Sequence, residues 1–159
     1  MQQLSMDALA VQSTAIIRGQ VASSYTAMSG PTIYTHYRIS VTETWKGAAG
    51  STVDIALPGG TSNAVRQTFP GVPQLSTGVD YVLYLWTSPQ SGLTLPTGFS
   101  QGIFSVTGSN SASLVTSRAP TSELMLDAKG HPVQGQGLSM PLPAMKSLVA
   151  AALTRAGVK

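Results

Sequence analysis

The sequence contains two histidines, His36 and His131, and no cysteine. Thiolate chemistry is therefore excluded, and a metal centre or a Ser-His-acid triad would need at least one of these imidazoles. His36 lies between Tyr34 and Arg38 in an alternating segment, where a solvated strand residue is the simplest interpretation. His131 lies in a turn-forming stretch whose nearby acid is Asp127. We expect no metal site, no cofactor and no enzyme, with a serine-dependent hydrolase using either histidine as the alternative.

The acidic residues show no pair with the spacing typical of carboxylate-based hydrolases. Glu43 is unusual among them because it falls on the apolar face of an alternating segment. A carboxylate on such a face needs a partner if it is buried. We expect Glu43 either to pair with a cation such as Arg18 or to mark the point where this face reaches solvent. We favour a structural ion pair over a catalytic role.

The segment from Gly59 to Gly78 joins two predicted strands and is the candidate binding surface. Structureless connections longer than about 12–15 residues are uncommon unless they are functional or disordered. Residues 64–69 are consistent with an extra edge strand, which would shorten the true loop, and two prolines restrict the remainder. We expect the segment to present Arg66, Phe69 and Val72 to a partner at modest entropic cost. The other interpretation, which the segment slightly favours, is a stiff connector that covers one end of the barrel.

Several aromatic residues could form a stacking platform for sugars or bases. Most of them lie in strand patterns, where packing in the core is the default role of an aromatic side chain. Of this set we expect Tyr34 and Tyr84 to be the most exposed. The set is Tyr34, Tyr37, Trp45, Tyr81, Tyr84 and Trp86.

The composition of the chain favours a β protein. Only 9% of the 159 residues are charged and 42% are hydrophobic, whereas roughly 25% of the residues in an ordinary soluble domain are charged. The 16 glycines and 10 prolines suit short strands joined by turns. The net charge of +3 comes from scattered cations, which argues against nucleic-acid binding. No apolar stretch approaches the roughly 20 residues that a membrane-spanning helix needs.

Periodicity places the strands and helices that must position these residues. Odd positions from Ile33 to Trp45 are mostly apolar and even positions mostly polar, which predicts a long strand with one buried face. Residues 79–86 are apolar on both faces except at Asp80, which predicts a central strand. A short N-terminal helix with Ser5 as its N-cap is also expected. Other predicted strands are 15–21, 52–57, 93–95, 101–106 and 111–116, and helical spacing predicts an amphipathic helix at about 141–156.

Several short motifs resemble, in order and spacing, a family of uncharacterised exported bacterial proteins of unknown function. The opening STAIIRGQV at 13–21 is similar to the family pattern ADxIVxGxV, and IYT at 33–35 with VTETWKG at 41–47 is similar to YTxxxxxVxExLKG. The remaining matches are LPGG at 57–60, GVP at 71–73, GVDYVLYL at 78–85 and QGIF at 101–104. The opening and the KG hairpin also resemble the netrin-like domain of tissue inhibitors of metalloproteinases, an OB-fold barrel. Those inhibitors chelate zinc through an N-terminal cysteine, so their mechanism does not carry over to a chain without cysteine.

Together these observations predict one domain over residues 1–159, a small closed or partly open OB-like β-barrel with a C-terminal helix. A β-sandwich is the alternative. The resemblance and the weakly charged surface imply a periplasmic or secreted protein, whose signal peptide would precede Leu4. The expected function is a non-enzymatic binding or interaction module with a secreted protein as its partner. The analogy with inhibitors suggests a secreted protease as one such partner.

Overall fold

The computed structural model describes residues 5–47, 50–62, 64–69, 72, 74–108, 113–117, 125–126, 129, 132–133 and 139–157. The fold is mostly β, as the composition predicts, with a helix near each end. The two helices are α1, Met6–Gln12, and α2, Leu142–Arg155. The main sheet contains β1 Ala15–Ser29, β2 Thr32–Lys46, β3 Thr52–Pro58, β6 Asp80–Thr87, β7 Thr94–Pro96, β8 Ile103–Thr107, β9 Leu114–Ser117 and β12 Ser139–Pro141. Two small hairpins pair β4 Gly60–Ser62 with β5 Val65–Gln67, and β10 Met125–Leu126 with β11 Pro132–Val133.

The main sheet is antiparallel and runs in the order β12-β9-β8-β6-β1-β2-β3, with β7 paired to the end of β6. It curves so strongly that β3 lies beside β7, although no hydrogen-bonded ladder joins these two strands within the described residues. The sheet is therefore an open structure, which agrees with the expectation of a partly open barrel or a sandwich. Strand β6 lies in the middle, as its apolar pattern predicts.

Two apolar clusters lie on opposite sides of the sheet. The helix-side cluster contains Val82, Tyr84 and Phe104 from the strands, which pack against Met145 and Val149 of α2. The barrel-side cluster lies inside the curved sheet. Its members are Ile17, Val21, Tyr37, Ile39, Ile55, Leu57, Leu75, Tyr81, Leu83, Leu85 and Ile103. The alternation of β6 between the two clusters explains why its sequence is apolar at nearly every position.

Strand β1 is longer than the sequence predicts, because it continues past Val21 to Ser29. Its second half is polar and largely exposed, and its pairing with β2 provides the backbone hydrogen bonds that hold it in a strand. A β-bulge lies at Ala22, since Val21 pairs with Ile39 and Ser23 pairs with Arg38. The extra residue reverses the alternation of β1, so that odd-numbered residues beyond it point away from the barrel-side cluster.

Both predicted helices are confirmed. The Ser5 side chain accepts a hydrogen bond from the backbone nitrogen of Ala8 at 3.0 Å, which makes Ser5 the N-cap of α1. Helix α2 begins after Pro141 and is followed by Gly157, so its bounds agree with the prediction to within one residue. Neither helix is long and apolar enough to cross a membrane, and the same holds for every helical segment among the residues described above.

Candidate functional site

A pocket of about 310 Å³ opens where β2 begins and β3 ends, at the mouth of the curved sheet. Its base is formed by Tyr37 and Leu57, which also belong to the barrel-side cluster. The hairpin β4–β5 forms one wall, and the connection that follows β5 supplies Phe69 and Val72. We call this feature the mouth pocket. Pockets at the mouths of β-barrels are common ligand sites, because the rigid strands hold the loops around them in place.

The wall begins at a sharp change of chain direction after Pro58. Gly59 and Gly60 have φ angles of 112° and 127°, a region that residues with a Cβ rarely adopt. At Gly60 a Cβ would also lie 2.7 Å from the Oγ1 atom of Thr35. The two glycines therefore let the chain leave β3 and fold back as the hairpin β4–β5 instead of extending the sheet.

Gln67 fixes the hairpin to the turn between β1 and β2. Its Oε1 atom accepts a hydrogen bond from the backbone nitrogen of Ile33 at 2.7 Å, and its Nε2 atom donates to the carbonyl oxygen of Pro31 at 2.9 Å. On the other strand, the Thr26 hydroxyl donates to the carbonyl oxygen of Thr61 at 2.9 Å. These three long-range bonds hold the pocket wall in one position.

The three residues predicted for binding all line the mouth pocket. Arg66 is exposed, and the Phe69 ring retains 40% of its accessible surface. Val72 is half-buried and packs against the barrel-side cluster, so it anchors the connection as well as lining the pocket. Leu75 is buried in the same cluster. The connection thus covers the open end of the curved sheet, as the connector interpretation expects, and presents Arg66 and Phe69 at the rim of the pocket.

Tyr37 links the pocket to the interior. Burial raises the pKa of its hydroxyl above the ordinary value, and this cause outweighs a backbone hydrogen bond from Leu75 that lowers the pKa. Burial thus favours the neutral form of this phenol, and Tyr37 adds no charge to the base of the pocket.

A second polar cluster lies on the outer face of β1, β2 and β3. The Nδ1 atom of His36 is 2.7 Å from the Oδ1 atom of Asp54, and the Tyr25 hydroxyl donates to Oδ2 of the same carboxylate at 2.6 Å. The Tyr25 and His36 rings are stacked, with centroids 4.7 Å apart. The His36 side chain is only 12% exposed, so its interpretation as a solvated strand residue is wrong. The bulge at Ala22 is the reason, because it places Tyr25 over the imidazole.

The predicted ion pair of Glu43 is confirmed. Arg18 donates from Nη1 to Glu43 at 2.9 Å and from Nε and Nη2 to Asp80 at 2.9 and 2.7 Å. Lys146 of α2 donates to the other oxygen of Glu43 at 2.9 Å. These hydrogen bonds, with Lys146 the largest cause, lower the pKa of Glu43. The network joins the C-terminal helix to β2 and β6, which is a structural role.

The aromatic residues are mostly core residues, with one correction. Tyr84, expected to be among the most exposed, is completely buried in the helix-side cluster, where it packs against Phe104. Burial raises the pKa of its hydroxyl. The exposed aromatic residue of β6 is Trp86 instead, at 41%, because β6 leaves the core at that end. Tyr34 is half-buried.

One structural cation was missed by the sequence analysis. Lys46 donates hydrogen bonds to the carbonyl oxygens of Ala10, Val11 and Ser13 at 2.8, 3.1 and 2.5 Å, and thereby caps the C-terminal end of α1. Desolvation lowers the pKa of this amine. The positive charge of Lys46 in the KG hairpin was the available signal, but its partners are more than 30 positions away in sequence.

Of the residues weighed for catalysis, His131 and Asp127 lie outside the described part of the chain. Within that part, no group of three or more His, Cys, Asp or Glu side chains is arranged to hold a metal ion.

Comparisons of the chain with protein-family models, with curated proteins and with solved structures find no match. The candidate site therefore stands on its own geometry.

Proposed function

We propose that this protein is a non-enzymatic binding module and that the mouth pocket is its binding surface. The observation that carries the proposal is the convergence of two parts of the chain around one pocket with Arg66 and Phe69 at its rim. One part is the start of β2, and the other is the continuous stretch formed by the end of β3, the hairpin β4–β5 and the following connection. Arginine and aromatic residues dominate the energy of protein interfaces. Because the hydrogen bonds of the wall hold the backbone of Arg66 in place, binding through this residue costs little additional backbone entropy.

The partner that we propose is a protein outside the cytoplasm. Two features of the sequence support this location: the uncharged Ser, Thr and Gly-rich surface, and the resemblance of its motifs to exported bacterial proteins. A secreted protease is one partner of this class, on the analogy with netrin-like inhibitors. Fractionation of the native cells with an antibody against the protein tests the location, and recovery of the product with cytosolic markers would contradict it.

The function is tested by capture followed by affinity measurement. The wild-type domain is used as bait in the native secretome, the captured protein is purified, and its Kd is measured for three forms of the bait. The Arg66→Ala/Phe69→Ala variant should bind at least 30-fold more weakly, about 2 kcal/mol, which is the usual size of a hot-spot effect. The matched control is Arg38→Ala/Trp86→Ala, which removes a cation and an aromatic ring equally exposed outside the pocket. Equal affinity of wild type and the pocket variant, with both folded, would refute the proposal.

A serine-dependent hydrolase is the second candidate, and the contact between His36 and Asp54 favours it. A carboxylate that orients an imidazole through Nδ1 supplies two of the three members of a catalytic triad. Against this, the same carboxylate also binds Tyr25, and no serine among the described residues hydrogen-bonds to His36. A fluorophosphonate probe separates the candidates. Labelling of one serine in a 1:1 ratio, lost in His36→Gln, would favour the hydrolase, whereas the binding module predicts no specific labelling.

A further inference from the structure

The mouth pocket carries an unbalanced positive charge. Arg66 is the charged side chain among its described lining residues, which include no carboxylate. The guanidinium forms no ion pair with any side chain in the described ranges. A guanidinium presents parallel N–H groups that match the two oxygens of a carboxylate. The net charge of +3 on the whole chain adds a weak attraction for acidic partners.

The polar groups around Arg66 divide into those already bonded and those available. The Gln67 amide and the Thr35 hydroxyl are occupied by hydrogen bonds that hold the wall in place. Thr68 and Gln74 line the same pocket and are exposed. Their hydroxyl and amide groups can donate to an anion that binds Arg66. The lining of the pocket therefore includes one charged and two neutral side-chain donors.

The wall beside these donors suits an extended peptide. Strand β5 is paired on one side with β4, and no ladder is formed on its other side within the described part of the chain. Such a free strand edge can pair with a segment of another protein, which places alternate side chains of that segment on the surface. The exposed Phe69 ring lies two residues after β5 and offers an apolar contact next to the donors.

We propose that the mouth pocket recognises an extended segment of the partner protein in which a Glu or Asp side chain binds Arg66 and an adjacent apolar side chain contacts Phe69. This inference rests on the proposed function and names the chemistry of its ligand. The carboxylate selects the segment through charge, and the apolar contact with Phe69 together with backbone pairing along the free edge of β5 supplies the rest of the affinity. Because Arg66 is exposed, the charge selectivity is about tenfold rather than larger.

The test uses two dipeptide probes that differ in one charge, acetyl-Phe-Glu-amide and acetyl-Phe-Gln-amide. Each is titrated to millimolar concentration into the ¹⁵N-labelled chain, and amide chemical shifts are followed by NMR. The acidic probe should give saturable shifts at Gly59, Gly60 and Phe69 and bind about tenfold more tightly than the neutral probe at 50 mM salt. The difference should shrink at 300 mM salt, where charges at the surface are screened.

Two variants assign the selectivity to one residue. Arg66→Gln should bind both probes equally, at the level of the neutral probe in wild type. Arg155→Gln removes an exposed cation on α2 and should keep the full tenfold difference. Three results would overturn the carboxylate proposal. They are equal binding of both probes to wild type, no saturable shift with either probe, and an equal loss of the difference between the probes in both variants. Loss of the captured partner in Arg66→Ala/Phe69→Ala would still support the binding function in that case, so the two failures are distinguishable.

Discussion

Replacement of Leu83 by alanine tests the packing on which the site is built. Leu83 is completely buried on β6 and belongs to the barrel-side cluster together with Tyr37 and Leu57, which form the base of the mouth pocket. The substitution removes roughly three buried carbon groups at about 0.8 kcal/mol each, or about 2.4 kcal/mol. The cavity left behind adds to this cost, and the expected loss is about 2–5 kcal/mol in the free energy of unfolding. For a chain of this size the midpoint temperature of thermal unfolding should fall by about 4–20 °C.

The assay is urea denaturation followed by tryptophan fluorescence, with thermal unfolding by circular dichroism as a second probe. The matched control is Leu148→Ala, because Leu148 is a leucine of α2 that is 43% exposed and alanine is a good helix former. The control should change stability by less than about 0.5 kcal/mol. A loss below about 1 kcal/mol in Leu83→Ala, or equal losses in both variants, would refute the assignment of β6 as the central strand.

Three further predictions follow from the same contacts. Lys146 and Arg18 lower the pKa of Glu43, so the stability that this group contributes is present above its unfolded-state pKa and is lost as pH falls through the lowered folded-state value. Glu43→Gln should therefore flatten the loss of stability between about pH 5 and 3, as measured by urea midpoints, and an unchanged slope would contradict this. Tyr84→Phe should be neutral or stabilising in thermal unfolding, because the buried hydroxyl has no partner among the described residues; a loss above about 1 kcal/mol would refute it. EDTA should leave the midpoint temperature of thermal unfolding unchanged, since the apolar clusters stabilise the fold. A fall of several degrees in this temperature would show a metal requirement.

Local patterns were sufficient to predict the elements whose burial is simple. Strand β6 is apolar on both faces because it lies between the two clusters, and α2 shows helical spacing because one of its faces packs on the sheet. The Ser5 N-cap depends on residues three positions apart. The partner of Glu43 could also be predicted, because a carboxylate on a buried face requires a cation.

Other features depend on the register between strands, which the sequence does not display. The bulge at Ala22 changes which residues of β1 share a face with β2, so the contact between Tyr25 and His36 has no signature in the alternation of either strand. The burial of Tyr84 is another feature that the sequence pattern does not display. Both faces of β6 are apolar, and the pattern could not indicate that the end of the strand near Trp86, rather than Tyr84, is the exposed part.

The mouth pocket was predictable in part. The unusual length of the connection after β3 pointed to Arg66, Phe69 and Val72, and these residues do line one pocket. The base of the pocket comes from Tyr37 and Leu57, whose strand pattern indicates only that they face the core. Their position at the open end of the sheet follows from its curvature, a tertiary property.

Photo-crosslinking tests the central claim that partners bind at the mouth pocket most directly. A photoreactive benzoylphenylalanine is introduced in place of Phe69 in one variant and in place of Trp86 in another, since the two rings are equally exposed but only the first lines the pocket. Both variants are irradiated in the native secretome, and adducts are identified by mass spectrometry. We expect one dominant covalent adduct from position 69, competed by unlabelled wild-type protein, and none from position 86. Adducts from position 86 alone, or from neither position, would contradict this claim.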